Sequence, residues 1–122
     1  MVVGLASSAS AASGCGSGFA YTGYSTSTAH LDVRLYVRAS DVQWCANTFR
    51  HGSWTDTAGT TYVALISIGP DDYATRKSSV SSGPAKVKSD CVSFYGYALR
   101  TASSNSARET ADSRHVCFSD LA

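Results

Sequence analysis

Few side chains in this 122-residue chain could do chemistry: three histidines, four cysteines and nine carboxylates. His51, with Asp56 and one of many serines, can be drawn as a relay in which the imidazole takes a hydroxyl proton. Such a relay needs its nucleophile on a fixed turn, and no G-x-S-x-G elbow or equivalent occurs. His30 stands just before a strand, and His115, next to Cys117, reads as a strand residue with one wet face. The adjacent acids Asp71-Asp72 follow Gly69-Pro70, where aspartate is favoured because it hydrogen-bonds turn backbone, so a turn is preferred to calcium binding. No Cys-x-x-Cys pair occurs, which argues against tetrahedral zinc. These residues imply no enzyme, no metal and no other cofactor.

Cys15, Cys45, Cys91 and Cys117 are an even number in a small chain, which reads as two disulfides in an oxidising compartment. Four cysteines permit three connectivities. The favoured pairing is Cys15–Cys45 and Cys91–Cys117, because each closes a local loop of about 30 residues and stabilises by roughly 3–4 kcal/mol on the chain-entropy model. The opening MVVGLASSASAASG carries no charge and little apolar surface. Ala9-Ser10-Ala11 is an A-x-A cleavage site behind the apolar Val2–Leu5, so residues 1–11 read as the remnant of an export signal and 12–122 as one secreted domain. Formal net charge is +1 with 16% charged residues, which points to neither nucleic acid nor an anionic membrane surface. No apolar run approaches the ~20 residues that span a bilayer.

The elements that must position these residues are strands. In HLDVRLYVR, Leu31, Val33, Leu35 and Val37 share one face while Asp32, Arg34, Tyr36 and Arg38 share the other, the alternation of a half-buried strand. It forms a hairpin with residues 42–49. Residues 60–68 give the most hydrophobic strand, with Tyr62, Ala64, Ile66 and Ile68 opposite Val63 and Leu65, and it reads as central or buried on both sides. Residues 19–24 form a short strand, 74–82 a polar loop, and 85–88 with 91–99 another hairpin around Ser89-Asp90. Residues 101–112 are loop, with a possible helical turn at 106–112, before a last strand over 114–118. The fold class is all-β: a small disulfide-stapled antiparallel β-sandwich or barrel.

Cys15-Gly16-Ser17-Gly18-Phe19, the strand pair leading to Cys45, and Gly83, Pro84, Val87, Cys91, Tyr95 and Gly96 resemble the spore-associated protein A family of small secreted actinobacterial proteins. The resemblance spans roughly residues 15–98. The Asp-Asp-Tyr-Ala-Thr stretch and the C-terminal strand with Cys117 depart from that pattern. A weaker resemblance is to the secreted adaptors that join lectin subunits to the stalk of umbrella-shaped toxin particles. Both imply small β proteins that act by binding, and neither carries a functional residue over.

Seven tyrosines and two tryptophans exceed the needs of one small core. Arg34, Tyr36 and Arg38 share the outward face of the most regular strand, and Arg and Tyr are the residues enriched in interface hot spots. Cross-strand stacking that merely covers the sheet is the competing account. Trp54, in a loop between Gly52 and Gly59, is a second exposed candidate. Arg76-Lys77 and Lys86/Lys88 read as solvated charges guarding strand edges. The reading is a non-enzymatic secreted protein-binding or structural domain, associated with a spore or cell surface or acting as an adaptor. An inhibitor of a secreted hydrolase presenting 51–57, and a carbohydrate-binding module using Trp54 and tyrosines, are the alternatives. Mass analysis of the secreted chain is expected to find Ala12 or an immediate neighbour as first residue; an intact Met1 on a cytosolic product overturns the export assignment.

Overall fold

Among the described residues eight strands form, because the chain alternates small and β-branched residues with polar ones and breaks at Gly, Ser and Asp. In the computed structural model, which describes residues 14–55, 57–69, 72–79, 81–103 and 106–121, they are β1 (Ala20–Ser27), β2 (Leu31–Arg38), β3 (Gln43–Arg50), β4 (Thr61–Ser67), β5 (Tyr73–Ser78), β6 (Ser82–Lys88), β7 (Cys91–Leu99) and β8 (Arg108–Cys117). Short 3-10 turns cover Gly52–Trp54 and Phe118–Leu121. Sheet A has the order β1-β2-β3-β6 and sheet B the order β5-β4-β7-β8, each antiparallel throughout. The architecture is a two-sheet sandwich with open edges, and no helix among the described residues is long and apolar enough to cross a membrane.

The core lies between the sheets. Val33, Leu35, Val37, Trp44, Ala46, Ala85 and Val87 of sheet A meet Val63, Leu65, Val92, Phe94, Ala111 and Val116 of sheet B. Trp44 satisfies its one polar atom by donating Nε1–H to the Ser89 carbonyl at 2.7 Å. A second contact crosses the core where β7 has no side chain. The buried Thr48 hydroxyl on β3 donates to the Tyr62 carbonyl on β4 at 2.9 Å, through space that a Cβ on Gly96 would fill, since it would lie 2.2 Å from Thr48 Oγ1.

Both disulfides have the expected partners, Cys15–Cys45 and Cys91–Cys117, and no cysteine is free. Strands 31–38 and 91–99 fall where expected, while three other expectations need correction. Residues 73–78 are an edge strand rather than a loop; β5 has no buried residue, so no alternation betrays it. The segment 85–88 pairs with β3 across the sandwich from β7, because Ala85 and Val87 complete the sheet A side of the core. The last strand begins at Arg108 instead of 114, with no helical turn over its length. Ala111 and Val116 both face the core although five residues apart, an odd spacing that a bulge opposite Tyr95 makes possible. Strand β4 is central, as expected, and its outward face is only partly covered: Ala64 is buried and Tyr62 half-buried, while Ile66 is 38% exposed.

Gly96→Ala is expected to destabilise by about 1–3 kcal/mol, since the methyl group must displace either Thr48 or the facing backbone. Leu35→Ala and Tyr36→Ala should each cost about 2–5 kcal/mol, because β2 is buried on both faces at its centre. Denaturant midpoints check both, and a negligible loss for Tyr36→Ala would show that its face is open.

Candidate functional site

The outer face of sheet A carries Arg34, Tyr36 and Arg38 from β2, as the alternation requires. Tyr36, however, is only 2% exposed. Its cross-strand neighbour is Cys45, and the Cys45–Cys15 bond pulls the N-terminal segment over both, so that Cys15, Phe19, Tyr36 and Cys45 form a small second core with Tyr21 at its border. The expectation of a wet Tyr36 is therefore corrected. Burial raises its phenol pKa, partly offset by the Arg34 hydrogen bond. Arg34 donates from Nε to Asp32 at 2.6 Å and lies between the rings of Tyr21 and Phe49. Arg38 donates to both Asp41 oxygens at 2.9 and 2.8 Å and to Gln43, with its guanidinium over Phe19. The structure brings the three together, with both arginines engaged inside the chain.

Trp54 is likewise corrected, being 4% exposed. It closes one end of the sandwich against Leu31 and Ala98 and stacks on His30 at 4.6 Å with planes 7° apart. His30 Nδ1 meets Glu109 Oε1 at 2.5 Å, and the other Glu109 oxygen accepts the Thr28 hydroxyl. Burial pushes the Glu109 carboxyl up, but the Thr28 and His30 hydrogen bonds outweigh it and leave the pKa lowered. Beside Trp54, the buried Arg50 spends all five N–H groups on the hydroxyls of Thr61 and Thr57 and the carbonyls of Gly59, Leu99 and Arg100. His51 donates from Nε2 toward the carbonyls of Thr28 and Leu31, each at 3.1 Å. The rings of the three histidines are engaged separately, at Glu109, at backbone carbonyls and beside Cys117, although His30 and His51 are neighbours, with the His51 N–H donating to the His30 carbonyl at 2.9 Å. The His51–Asp56 pairing lies outside the described residues, as do Asp71 and the export segment 1–11. Asp72 is turn material: its backbone carbonyl accepts from Ser67, and its carboxylate accepts the Tyr73 N–H.

The outer face of sheet B is different, and sequence reasoning passed over it. Here Tyr62, Ala64 and Ile66 of β4 lie beside Tyr95 and Tyr97 of β7 and Tyr73 of β5. Tyr62 and Tyr97 stack at 4.7 Å, Tyr62 and Tyr95 tilt together at 6.0 Å, and the Arg108 guanidinium covers Tyr97 at 4.0 Å. Burial, with Tyr95 beside it, raises the Tyr62 pKa. Tyr73, paired across the strands with Ile66, is 70% exposed. Ile66, Ile68 and Tyr73 are the exposed large hydrophobics among the described residues. The signal that could have found this face is the alternation of 60–68 itself, whose Tyr62–Ile68 set must point away from the core that Val63 and Leu65 fill.

No family model matches the chain, and no curated protein or solved structure matches it.

The Arg38–Asp41 pair gives a pH test. The Arg38 hydrogen bonds hold the Asp41 carboxyl down at about 2, against 3.8 for the free side chain. A depressed carboxylate adds stability that is whole above the unfolded pKa and fades as pH falls through the folded one. The contribution should therefore disappear between about pH 4 and pH 2. NMR titration is expected to place the Asp41 midpoint near the lower value, and Arg38→Ala should move it upward.

Proposed function

We propose that this chain is a non-enzymatic exported binding domain that docks a protein partner through the outer face of sheet B. One observation carries the reading: at the middle of sheet A's outer face Cys15 and Phe19 cover Tyr36 and Cys45, while sheet B leaves Ile66, Ile68 and Tyr73 in solvent beside stacked tyrosines. Apolar groups with Tyr and Arg, held on a rigid sheet, lose little freedom on docking and gain area when desolvated. The two disulfides fit an oxidising compartment. The resemblance to spore-associated protein A and to toxin-particle adaptors supports a surface-associated or adaptor role.

The ring geometry favours protein over sugar. A sugar platform presents open ring faces, whereas one face of Tyr97 is taken by Tyr62 and Arg108 also lies on the ring. The hydrolase-inhibitor alternative is less supported, because the 51–57 loop turns Trp54 inward and anchors Thr57 on Arg50. Arg34, Arg38, Tyr36 and Trp54 are accordingly assigned to the scaffold.

Affinity purification of the tagged secreted chain supplies the partner. Tyr73→Ala with Ile66→Ala should then weaken its capture by at least about 2 kcal/mol, roughly thirtyfold, with the thermal midpoint little changed. Arg34→Ala should leave capture intact. The reverse pattern moves the interface to sheet A, and elution by free sugar would make the domain a lectin.

A further inference from the structure

At the end of sheet B opposite Trp54, three donor atoms converge. Cys91 opens β7 and Cys117 closes β8 as direct cross-strand partners, and His115, two residues before Cys117, shares its face. The sulfur and imidazole donor atoms of these three residues lie within 4.8 Å of one another. His115 Nε2 is 3.6 Å from Cys117 Sγ. Tetrahedral zinc with Zn–S of about 2.3 Å and Zn–N of about 2.0–2.1 Å places a sulfur and a nitrogen ligand about 3.6 Å apart. The imidazole already stands where a ligand would stand relative to that sulfur.

The two disulfides differ in access. Cys15 and Cys45 are 1% and 0% exposed beneath Phe19 and Tyr36, whereas Cys91 and Cys117 are half-buried at the surface and His115 is exposed. Thiol–disulfide exchange requires a thiolate to reach a sulfur, so an external dithiol meets Cys91–Cys117 first. The core does not depend on that bond alone, because β7 and β8 remain joined along their ladder from Val92–Val116 to Leu99–Arg108.

We infer that reduction of Cys91–Cys117 turns this corner into a Cys91–His115–Cys117 site for a thiophilic divalent cation of the zinc class. The oxidised chain offers no thiolate there and does not hold the ion. In the balanced step, a dithiol gives two electrons and two protons to the disulfide and closes its own. The ion then displaces the two cysteine protons, and neutral His115 supplies Nε2. Three protein ligands leave the fourth tetrahedral position to water or to a partner's donor, the pattern of an open rather than a closed zinc site. The ion would sit at the margin of the sheet B face, on the ladder that carries Tyr95 and Tyr97, yet the inference stands independently of what docks there.

The test uses the folded chain, reduced by limited dithiothreitol and desalted under nitrogen, with cobalt(II) as the spectroscopic probe and zinc as competitor. Alkylation and peptide mapping should find Cys91 and Cys117 modified while Cys15–Cys45 stays joined, with the near-ultraviolet dichroism of the buried Trp44 retained. One cobalt per chain should bind with thiolate charge-transfer absorption and be displaced by zinc, and the oxidised chain should bind none. His115→Ala, at an exposed position, should weaken binding by about tenfold or more, at least the loss caused by removing even an outer-shell partner. The inference is overturned if the reduced, folded chain shows no cobalt–thiolate absorption or if His115→Ala binds as tightly as the parent. It is equally overturned if Cys15–Cys45 opens as readily, or if opening Cys91–Cys117 unfolds the chain.

Discussion

The Cys15–Cys45 bond fixes which surfaces of the sandwich meet solvent. Two stacked sheets have four faces, and the inner two cover each other through the packing of Leu35 and Val63 and their neighbours. Each outer face must then be polar, covered or used. On sheet A the disulfide pins Cys15 above Cys45, and Phe19 follows it down to bury Tyr36. Arg38 and Lys86 then lie over the Phe19 ring and return a charged surface to water. Sheet B has no such strap among the described residues. Its tyrosines can only stack on one another and on Arg108, which lowers their exposed area without hiding Ile66, Ile68 or Tyr73.

The end of the sandwich near Trp54 is held by a different means. A buried cation is costly unless its hydrogens are matched, and burial lowers the Arg50 pKa. Among the described residues the match involves no carboxylate: five donors meet hydroxyls and carbonyls from the β3–β4 connection, the start of β4, the end of β7 and the residue after it. A planar fork suits this geometry where a lysine ammonium, with three donors, would leave acceptors unpaired. Because β3 belongs to sheet A and β7 to sheet B, the guanidinium crosslinks the two sheets at their rim. Thr48 does the same inside the core through the space above Gly96.

Much of this was legible in the residues. The alternation of 31–38 gave β2 its bounds and its inward set, and local loop closure gave the disulfide pairs. The failures at β5 and β8 share a physical origin: period-two reading assumes a strand with one buried face and no bulge. Strand β5 has no buried face, so its sequence, YATRKS, carries no pattern. Strand β8 has an extra residue that shifts its inward positions from even to odd spacing. Tyr36 was misplaced although the information was present. Cys45 stands opposite it in the hairpin, and any bond from Cys45 to the N-terminus has to lay that segment over the tyrosine. Trp54 was misread because glycines nearby suggested a loose loop, whereas Leu31 and Ala98 leave a hole at the sheet end that its ring fills.

The positions of the two disulfides also bear on what happens under tension. Force applied to the two ends of the described chain bypasses the residues enclosed by each bond and runs through the segment from Cys45 to Cys91. That segment can lengthen to at most about 165 Å, against about 365 Å for an uncrosslinked chain from residue 15 to 117. Strands β1, β2, β7 and β8 lie inside the protected loops, apart from the first bonds at their margins, while β4, β5 and β6 lie on the extensible path. The seam that yields therefore includes the β4–β7 ladder. Drawing it apart would separate Tyr62, Ile66 and Tyr73 from Tyr95, Tyr97 and Arg108, cutting the tyrosine surface in two while both halves stay covalently tethered to the same molecule.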